Sequence, residues 1–126
     1  MEEAAEATGV NKNDVVKSLV FLSNSGEVII AILRGDTKLD ERKLAATINA
    51  SGVTKATPNK ILQETGYLVG GVPPIGHKKP ISTIIDKKVL EKEIVYAGGG
   101  SENHLLRISP LDIVRVQNAV VADIKA

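Results

Sequence analysis

The chain carries the run VVKSLVFL at residues 15–22 and the run VIIAIL at residues 28–33. Both runs are rich in β-branched residues, which favour strands. The tetrapeptide Ser23-Asn24-Ser25-Gly26 joins them and supplies a glycine for a turn position with positive φ. The pattern therefore predicts a hairpin of two largely buried strands, around which the rest of the fold is arranged.

Two helices are expected after this hairpin. Asp40 is a good N-cap for a helix that carries Leu44 and Ile48 on one face and ends near Gly52. Thr57-Pro58 opens the next helix, because proline is tolerated at the first helical position, and Gly66 closes it. A short helix is also expected at residues 2–8.

The second half of the chain predicts three further strands and a final helix. The strands are expected at residues 82–86, 93–97 and 104–108, with a turn at residues 98–100 between the last two. Ser109 begins the helix as an N-cap, with Asp112 three positions later. The resulting order ββααβββα predicts an α+β fold, with a mixed, mostly antiparallel β-sheet flanked by helices.

Length and composition set limits on function. The 126 residues suit one domain, and the absence of cysteine excludes disulfides, thiolate catalysis and cysteine-ligated metals. No apolar run approaches the roughly 20 residues that cross a bilayer, and the acidic first residues are unlike a signal peptide. A cytoplasmic protein without a membrane association is expected.

The charge distribution leaves two interpretations open. The net charge is only +1, but residues 55–92 contain seven lysines against three acidic residues, a local net charge of +4. This segment either forms a phosphate-facing patch or carries lysines scattered over solvated faces.

No metal site or cofactor is expected. The histidines are His77 and His104, far apart in sequence and without neighbouring ligand motifs. No nucleophile elbow, Walker motif or dinucleotide fingerprint occurs. Taken alone, the Gly98-Gly99-Gly100 run is more typical of a tight turn than of a phosphate-binding loop.

Lys17 is the unusual residue of the first strand. Alternation places residues 15, 17, 19 and 21 on one face, so the lysine would stand among Val15, Leu19 and Phe21. Burying an ammonium without a partner is costly. Either Lys17 is an outward-facing edge lysine, or it projects into a pocket that receives an anion.

A second candidate is the loop at residues 70–76. Proline fixes φ and removes donors, while glycine lets a backbone approach a ligand closely, so the loop is rigid and presents bare peptide groups. It is either a ligand-binding loop or a structural crossover. Asp36 and Asp86, taken alone, are a turn residue and a strand-end residue.

Taken together, these segments resemble the YbaK family of aminoacyl-tRNA editing domains, related to the editing insertion of bacterial prolyl-tRNA synthetases. Each motif is weak singly, but the set occurs in family order over almost the whole chain. The matching segments are residues 4–10, 16–21, 35–36, 65–67, 70–77, 86, 97–100 and 108–112.

The resemblance implies a YbaK-like fold and deacylation of tRNA that carries a wrong, small amino acid such as Ala or Cys, typically on tRNA(Pro). It implies that Lys17 holds the tRNA end and is required for catalysis, which relies on positioning water or a ribose hydroxyl. The implied substrate-binding residues are Gly70, Gly71, Val72, Pro73, Pro74, Gly76, His77, Asp86, Gly98, Gly99 and Gly100. The implied partners are the acceptor end of an aminoacyl-tRNA and a prolyl-tRNA synthetase.

The chain departs from the family pattern at its start. Residues 1–126 are expected to form a single editing domain that lacks the strand and helix with which family members usually begin. Two other functions stay open: a non-catalytic module that binds tRNA ends or a synthetase, and a small nucleotide-binding protein.

Overall fold

A computed structural model describes residues 12–98 and 105–126, and these residues form seven strands and three α-helices. The strands are β1 (Val16–Ser23), β2 (Val28–Arg34), β3 (Val53–Lys55), β4 (Ser82–Asp86), β5 (Val95–Gly98), β6 (Leu105–Ile108) and β7 (Val120–Ala122). The helices are α1 (Glu41–Thr47), α2 (Pro58–Thr65) and α3 (Pro110–Gln117), and short 3₁₀ turns lie at Lys12–Asp14 and Lys87–Glu91.

The strands form a five-stranded sheet of order β3-β1-β2-β4-β7 and a two-stranded sheet of β5 and β6. β1 pairs antiparallel with β2 and β3, and β5 pairs antiparallel with β6. β4 runs parallel to β2 and β7. The predicted α+β class with a mixed, mostly antiparallel sheet is confirmed.

Both faces of the larger sheet are covered, which explains why β1 and β2 are nearly continuous apolar runs. Val16 and Val20 of β1 pack in one core with α2, α3 and β5. Phe21, from the opposite face of β1, packs in a second core with Leu44 of α1. The hairpin predicted from residues 15–33 therefore lies between two cores.

The helix caps follow the predicted residues. The side chain of Asp40 accepts hydrogen bonds from the backbone N–H groups of Arg42 and Lys43, and that of Thr57 accepts one from Lys60. Gly66 closes α2 at φ 83°. The sequence was sufficient to predict these helix ends, because the capping residues are types whose side chains or backbone commonly satisfy the free hydrogen-bonding groups there.

The predicted end of α1 was wrong. The helix stops at Thr47 instead of continuing toward Gly52, because Asn49 adopts φ 57° and the N–H of Ala50 bonds back to the carbonyl of Ala45. Strands β3 and β7 were missed. Each has three residues, mostly exposed, so neither carries an alternation signal.

Some predictions lie outside the described residues: the helix at residues 2–8, and the turn formed by Gly99 and Gly100. In the part of the chain that the structure describes, no helix has the length and apolar character needed to span a membrane.

Candidate functional site

Within residues 12–98 and 105–126, strand β1 has an unpaired stretch on the edge that faces away from β2. β3 pairs only with residues Phe21 to Ser23, and β5 reaches β1 only through a bridge between Val15 and Tyr96. Between these two contacts, no described strand pairs with this edge of β1. A gap therefore opens beside residues 16–20.

The hydrogen bonds at the ends of β1 show which peptide groups face the gap. Ser23 donates to the carbonyl of Glu27 (2.9 Å) and Gly35 donates to that of Val15 (2.7 Å), so odd-numbered residues of β1 bond toward β2. The carbonyl of Val20 instead accepts from Ala56 on the other side (3.0 Å). By this alternation, the N–H and C=O of Ser18 point into the gap.

A cavity of about 360 Å³ occupies this gap. Its described lining residues are Val16, Lys17, Ser18, Leu19, Val20, Phe21, Lys55, Ala56, Ile61, Val69, Gly70, Val72 and Gly98. The lining brings Lys17 together with parts of the predicted glycine-containing segments.

The described lining residues are mostly apolar, and three of them carry polar or charged side chains. Ser18 carries a hydroxyl, and Lys17 and Lys55 carry the charges. The described lining residues include no carboxylate, imidazole or thiol. Such a cavity accepts a small uncharged group and offers it backbone hydrogen bonds, and these residues include no carboxylate or imidazole to act as a general base.

Lys17 lines the cavity, and its ammonium is held at the turn that follows β2. It donates hydrogen bonds to the carbonyl oxygens of Thr37 and Gly35 (3.5 Å for the latter). Asp36 in the same turn pairs with Arg34 (2.7 Å), and this hydrogen bond lowers the pKa of Asp36. An ammonium has three donors, so two carbonyl contacts leave Lys17 one N–H for a ligand.

The loop at residues 70–76 contributes only its first part to the cavity. Gly70 and Val72 line it, whereas Gly71, Pro73, Pro74 and Gly76 do not. Gly70 adopts φ 84° and Gly76 φ 78°, a backbone region that glycine reaches without strain. The loop is thus shaped at both ends by glycine.

His77 fixes this loop to the rest of the domain instead of lining the cavity. Its Nε2 lies 2.6 Å from the carbonyl of Pro73, and its Nδ1 lies 3.3 Å from Nε2 of Gln117 on α3. The Gln117 amide also donates to Oγ1 of Thr83 (3.0 Å). Because the Gln117 N–H group can only donate, Nδ1 accepts and the Nε2–H donates to Pro73, which requires the neutral imidazole.

Burial lowers the pKa of His77, and the hydrogen bond to Pro73 offsets only part of that change. His77 therefore stabilises the fold fully above its ordinary pKa near 6.5, and this contribution falls as pH drops toward the lowered pKa. At about pH 8, His77→Ala is expected to reduce the free energy of unfolding by about 1–3 kcal/mol, since two hydrogen bonds are lost. Urea unfolding at several pH values measures the effect.

The difference between wild type and His77→Ala should shrink as pH falls below about 6.5, because the unfolded wild-type chain then binds a proton that the folded imidazole, with its lowered pKa, resists. A difference that stays constant down to about pH 5 would show that the neutral imidazole is not what holds the loop.

Asp86 is not brought to the cavity. It is fully buried at the end of β4, where Oδ1 accepts from the N–H of Ile124 (2.9 Å) and Oδ2 from that of Lys88 (3.2 Å). Its carboxylate thus caps the 3₁₀ turn at Lys87–Glu91 and ties the last residues to the sheet. Any influence on the cavity is indirect.

Of the three glycines at residues 98–100, the structure describes Gly98 alone, and it lies at the cavity. Gly98 ends β5 and lines the cavity, and a Cβ placed on it meets no described atom within 4 Å. Gly99 and Gly100 lie outside the described residues, as does His104.

The sequence interpretation missed the far wall of the cavity. Lys55 is the last residue of β3, Ala56 directly follows that strand, and Ile61 lies on α2. The one available signal was the run Val53-Thr54-Lys55, which precedes the helix start at Thr57-Pro58. A run of three residues is too short for periodicity to distinguish a strand from a loop.

The lysines of residues 55–92 divide into paired and unpaired groups. Lys60 and Lys79 both lie near Glu64 (4.0 and 2.8 Å), and Lys79 is the main cause of the lowered pKa of Glu64. Two others are paired locally, Lys88 with Glu91 and Lys92 with Asp14. Lys55, Lys78 and Lys87 have no ion pair within the described residues. Much of the local positive charge is therefore neutralised.

This chain is similar in sequence to known proteins that contain aminoacyl-tRNA editing domains. A family model described as an aminoacyl-tRNA editing domain matches residues 1–116. EbsC of Enterococcus faecalis, named as a proposed Cys-tRNA(Pro)/Cys-tRNA(Cys) deacylase, is 28% identical over 98% of this chain and 75% of its own length. Proline–tRNA ligase of Thermotoga maritima is 34% identical over 82% of this chain and 17% of its own length.

A solved structure is also similar over nearly the whole chain. It is the crystal structure of a proposed trans-editing enzyme for prolyl-tRNA synthetase, with a TM-score of 0.91 and 34% identity. The similarity covers 99% of this chain and 78% of that one.

Proposed function

The chain belongs to the aminoacyl-tRNA editing domain family, and we propose that it hydrolyses the ester of tRNA charged with the wrong amino acid. The proposal rests on one observation above all: a mostly apolar cavity lies against an unpaired strand edge, with Lys17 beside it. The apolar walls suit a small uncharged side chain, and the strand edge suits the polar atoms of an aminoacyl ester.

We assign the acceptor end to this cavity as follows. Lys17 uses its remaining N–H to hold the terminal ribose, because its other donors are engaged by Thr37 and Gly35. Gly70 and Val72 contact the amino acid, and Gly98 borders the same space. Pro73, His77 and Asp86 act from a distance, through the loop and the sheet that they hold in place.

Catalysis in this scheme depends on positioning. The described lining residues contain no carboxylate, imidazole or thiol, so we assign the attack on the ester carbonyl to a water molecule. Fixed donors and the neighbouring ribose hydroxyl orient this water, and the esterified ribose oxygen leaves as the free hydroxyl. The Ser18 N–H, unused by the sheet, is one such donor for the developing oxyanion. An aminoacyl ester is already activated, so modest assistance suffices.

We propose tRNA(Pro) bearing Ala or Cys as substrate, and the cytoplasm as the compartment. The cavity volume of about 360 Å³ accommodates a small aminoacyl group. EbsC is named for Cys-tRNA(Pro), and the similar solved structure is described as acting in trans for prolyl-tRNA synthetase, which makes that synthetase a proposed partner. The similarity to a solved structure that is described as a trans-editing enzyme supports action in trans.

The alternatives make different predictions for a panel of mischarged tRNAs. An editing hydrolase releases the amino acid catalytically from at least one member, whereas a tRNA-end or synthetase-binding module binds without turnover. In a small nucleotide-binding protein, a free mononucleotide competes for the binding site and intact tRNA does not. Turnover that is absent across the panel would overturn the proposed function.

Chelation is expected to leave deacylation unchanged. Within residues 12–98 and 105–126, no group of three His, Asp or Glu side chains could hold a metal ion, and the sequence has no cysteine. The test is to measure turnover after exhaustive EDTA treatment and dialysis. Loss of turnover that zinc restores would contradict the positioning mechanism.

A further inference from the structure

Among the described lining residues of the cavity, Lys55 is the cation without an ion pair or side-chain hydrogen bond to another described residue. Of the seven lysines at residues 55–92, it alone is among the described lining residues. Its side chain is exposed, and within the described part of the chain no ion pair or side-chain hydrogen bond engages its ammonium. Lys17, in contrast, donates to two carbonyl oxygens.

The strand pairing places the two lysines on the same side of the sheet. Lys55 of β3 lies opposite Phe21 of β1, and opposed residues of an antiparallel pair project from the same face. Lys17 shares that face because it is four residues from Phe21 along β1, a separation of about 14 Å at 3.4 Å per residue. Leu19 lies between them and also lines the cavity.

We propose that Lys55 binds the phosphate on the 5′ side of the terminal adenosine, an assignment that rests on the proposed function. An aminoacyl ester on a terminal ribose has its nearest negative charge at that phosphate. Of the two cations in the described lining, Lys17 is largely occupied by Thr37 and Gly35, so the phosphate falls to Lys55. The long flexible stem of lysine suits a single phosphate contact at an exposed position.

The assignment divides recognition between the two ends of the cavity. Lys17 meets the ribose, and Lys55 meets the 5′-phosphate, which lies on the far side of that ribose from the ester. The ester therefore lies toward the Lys17 end of the cavity, beside the free edge of Ser18. A ligand without the phosphate should therefore bind independently of Lys55.

Two non-hydrolysable probes test this: alanine joined by an amide to 3′-amino-3′-deoxyadenosine, with and without a 5′-phosphate. Isothermal titration is expected to show that wild type binds the phosphorylated probe about 10-fold more tightly, since a charge-assisted contact is gained. Lys55→Ala should remove this preference and leave the Kd of the unphosphorylated probe unchanged. Lys55→Arg should retain most of the preference.

Lys38→Ala is the matched control, because Lys38 is also exposed and does not line the cavity. It should keep the wild-type preference. If Lys55→Ala keeps the preference too, the assignment of Lys55 is wrong while the proposed function stands. If wild type binds neither probe, both the assignment and the proposed function are wrong.

Discussion

Lys17→Ala is expected to reduce deacylation of mischarged tRNA by about 10- to 100-fold while the protein stays folded. The loss corresponds to one charge-assisted hydrogen bond to the substrate, about 1.5–3 kcal/mol. Single-turnover release of the amino acid measures the activity, and thermal unfolding measures stability. A variant with wild-type turnover would remove Lys17 from the mechanism.

A purely structural role for Lys17 needs a separate control, because its ammonium also holds the carbonyls of Thr37 and Gly35. Thr37→Val provides one. It removes the hydrogen bond from Thr37 Oγ1 to the carbonyl of Arg34 (2.8 Å) and so loosens the same turn without changing the lysine. Near-normal turnover in Thr37→Val, together with the loss in Lys17→Ala, would show that the ammonium acts on the substrate.

Gly98→Leu is expected to lower deacylation by about 100-fold, because Gly98 lines the cavity and a Cβ there meets no described atom within 4 Å. A leucine side chain is expected to fill part of the cavity and displace the ester from its productive position. The φ of Gly98 lies outside the left-handed region, so the substitution does not strain the backbone. Single-turnover hydrolysis and thermal unfolding provide the two measurements.

Gly52→Leu is the matched control for this cavity-filling variant. A Cβ placed on Gly52 also meets no described atom within 4 Å, and its φ is not left-handed, but Gly52 does not line the cavity. The variant should keep wild-type turnover. Equal losses in both variants, or no loss in Gly98→Leu, would mean that the cavity is not where the ester is hydrolysed.

The strand hairpin and the helix starts could be predicted because their signals are local. Continuous β-branched runs predict buried strands, and Asp40, Thr57 and Ser109 each accept hydrogen bonds from the first turn of the helix that they cap. The parallel pairing of β4 with β2 and β7 depends on contacts distant in sequence, which no local pattern encodes.

The candidate site could be predicted only in part. Lys17 was conspicuous because a charge interrupts an apolar run, and Gly70 and Gly98 because glycine clusters are unusual. The free edge of Ser18 could not be predicted, since among the described strands it depends on β3 pairing only with Phe21 to Ser23. Asp86 and His77 were grouped with substrate-binding residues, but their contacts are internal hydrogen bonds.

The most direct test of the central claim is the single-turnover rate of ester loss from Ala-tRNA(Pro) and Cys-tRNA(Pro) with excess wild-type protein. The expected result is first-order release of the amino acid from at least one of them, well above the spontaneous rate and strongly reduced by filling the cavity at Gly98. Rates equal to the spontaneous rate for both substrates, with tRNA binding still detectable, would contradict hydrolysis and leave a tRNA-binding module.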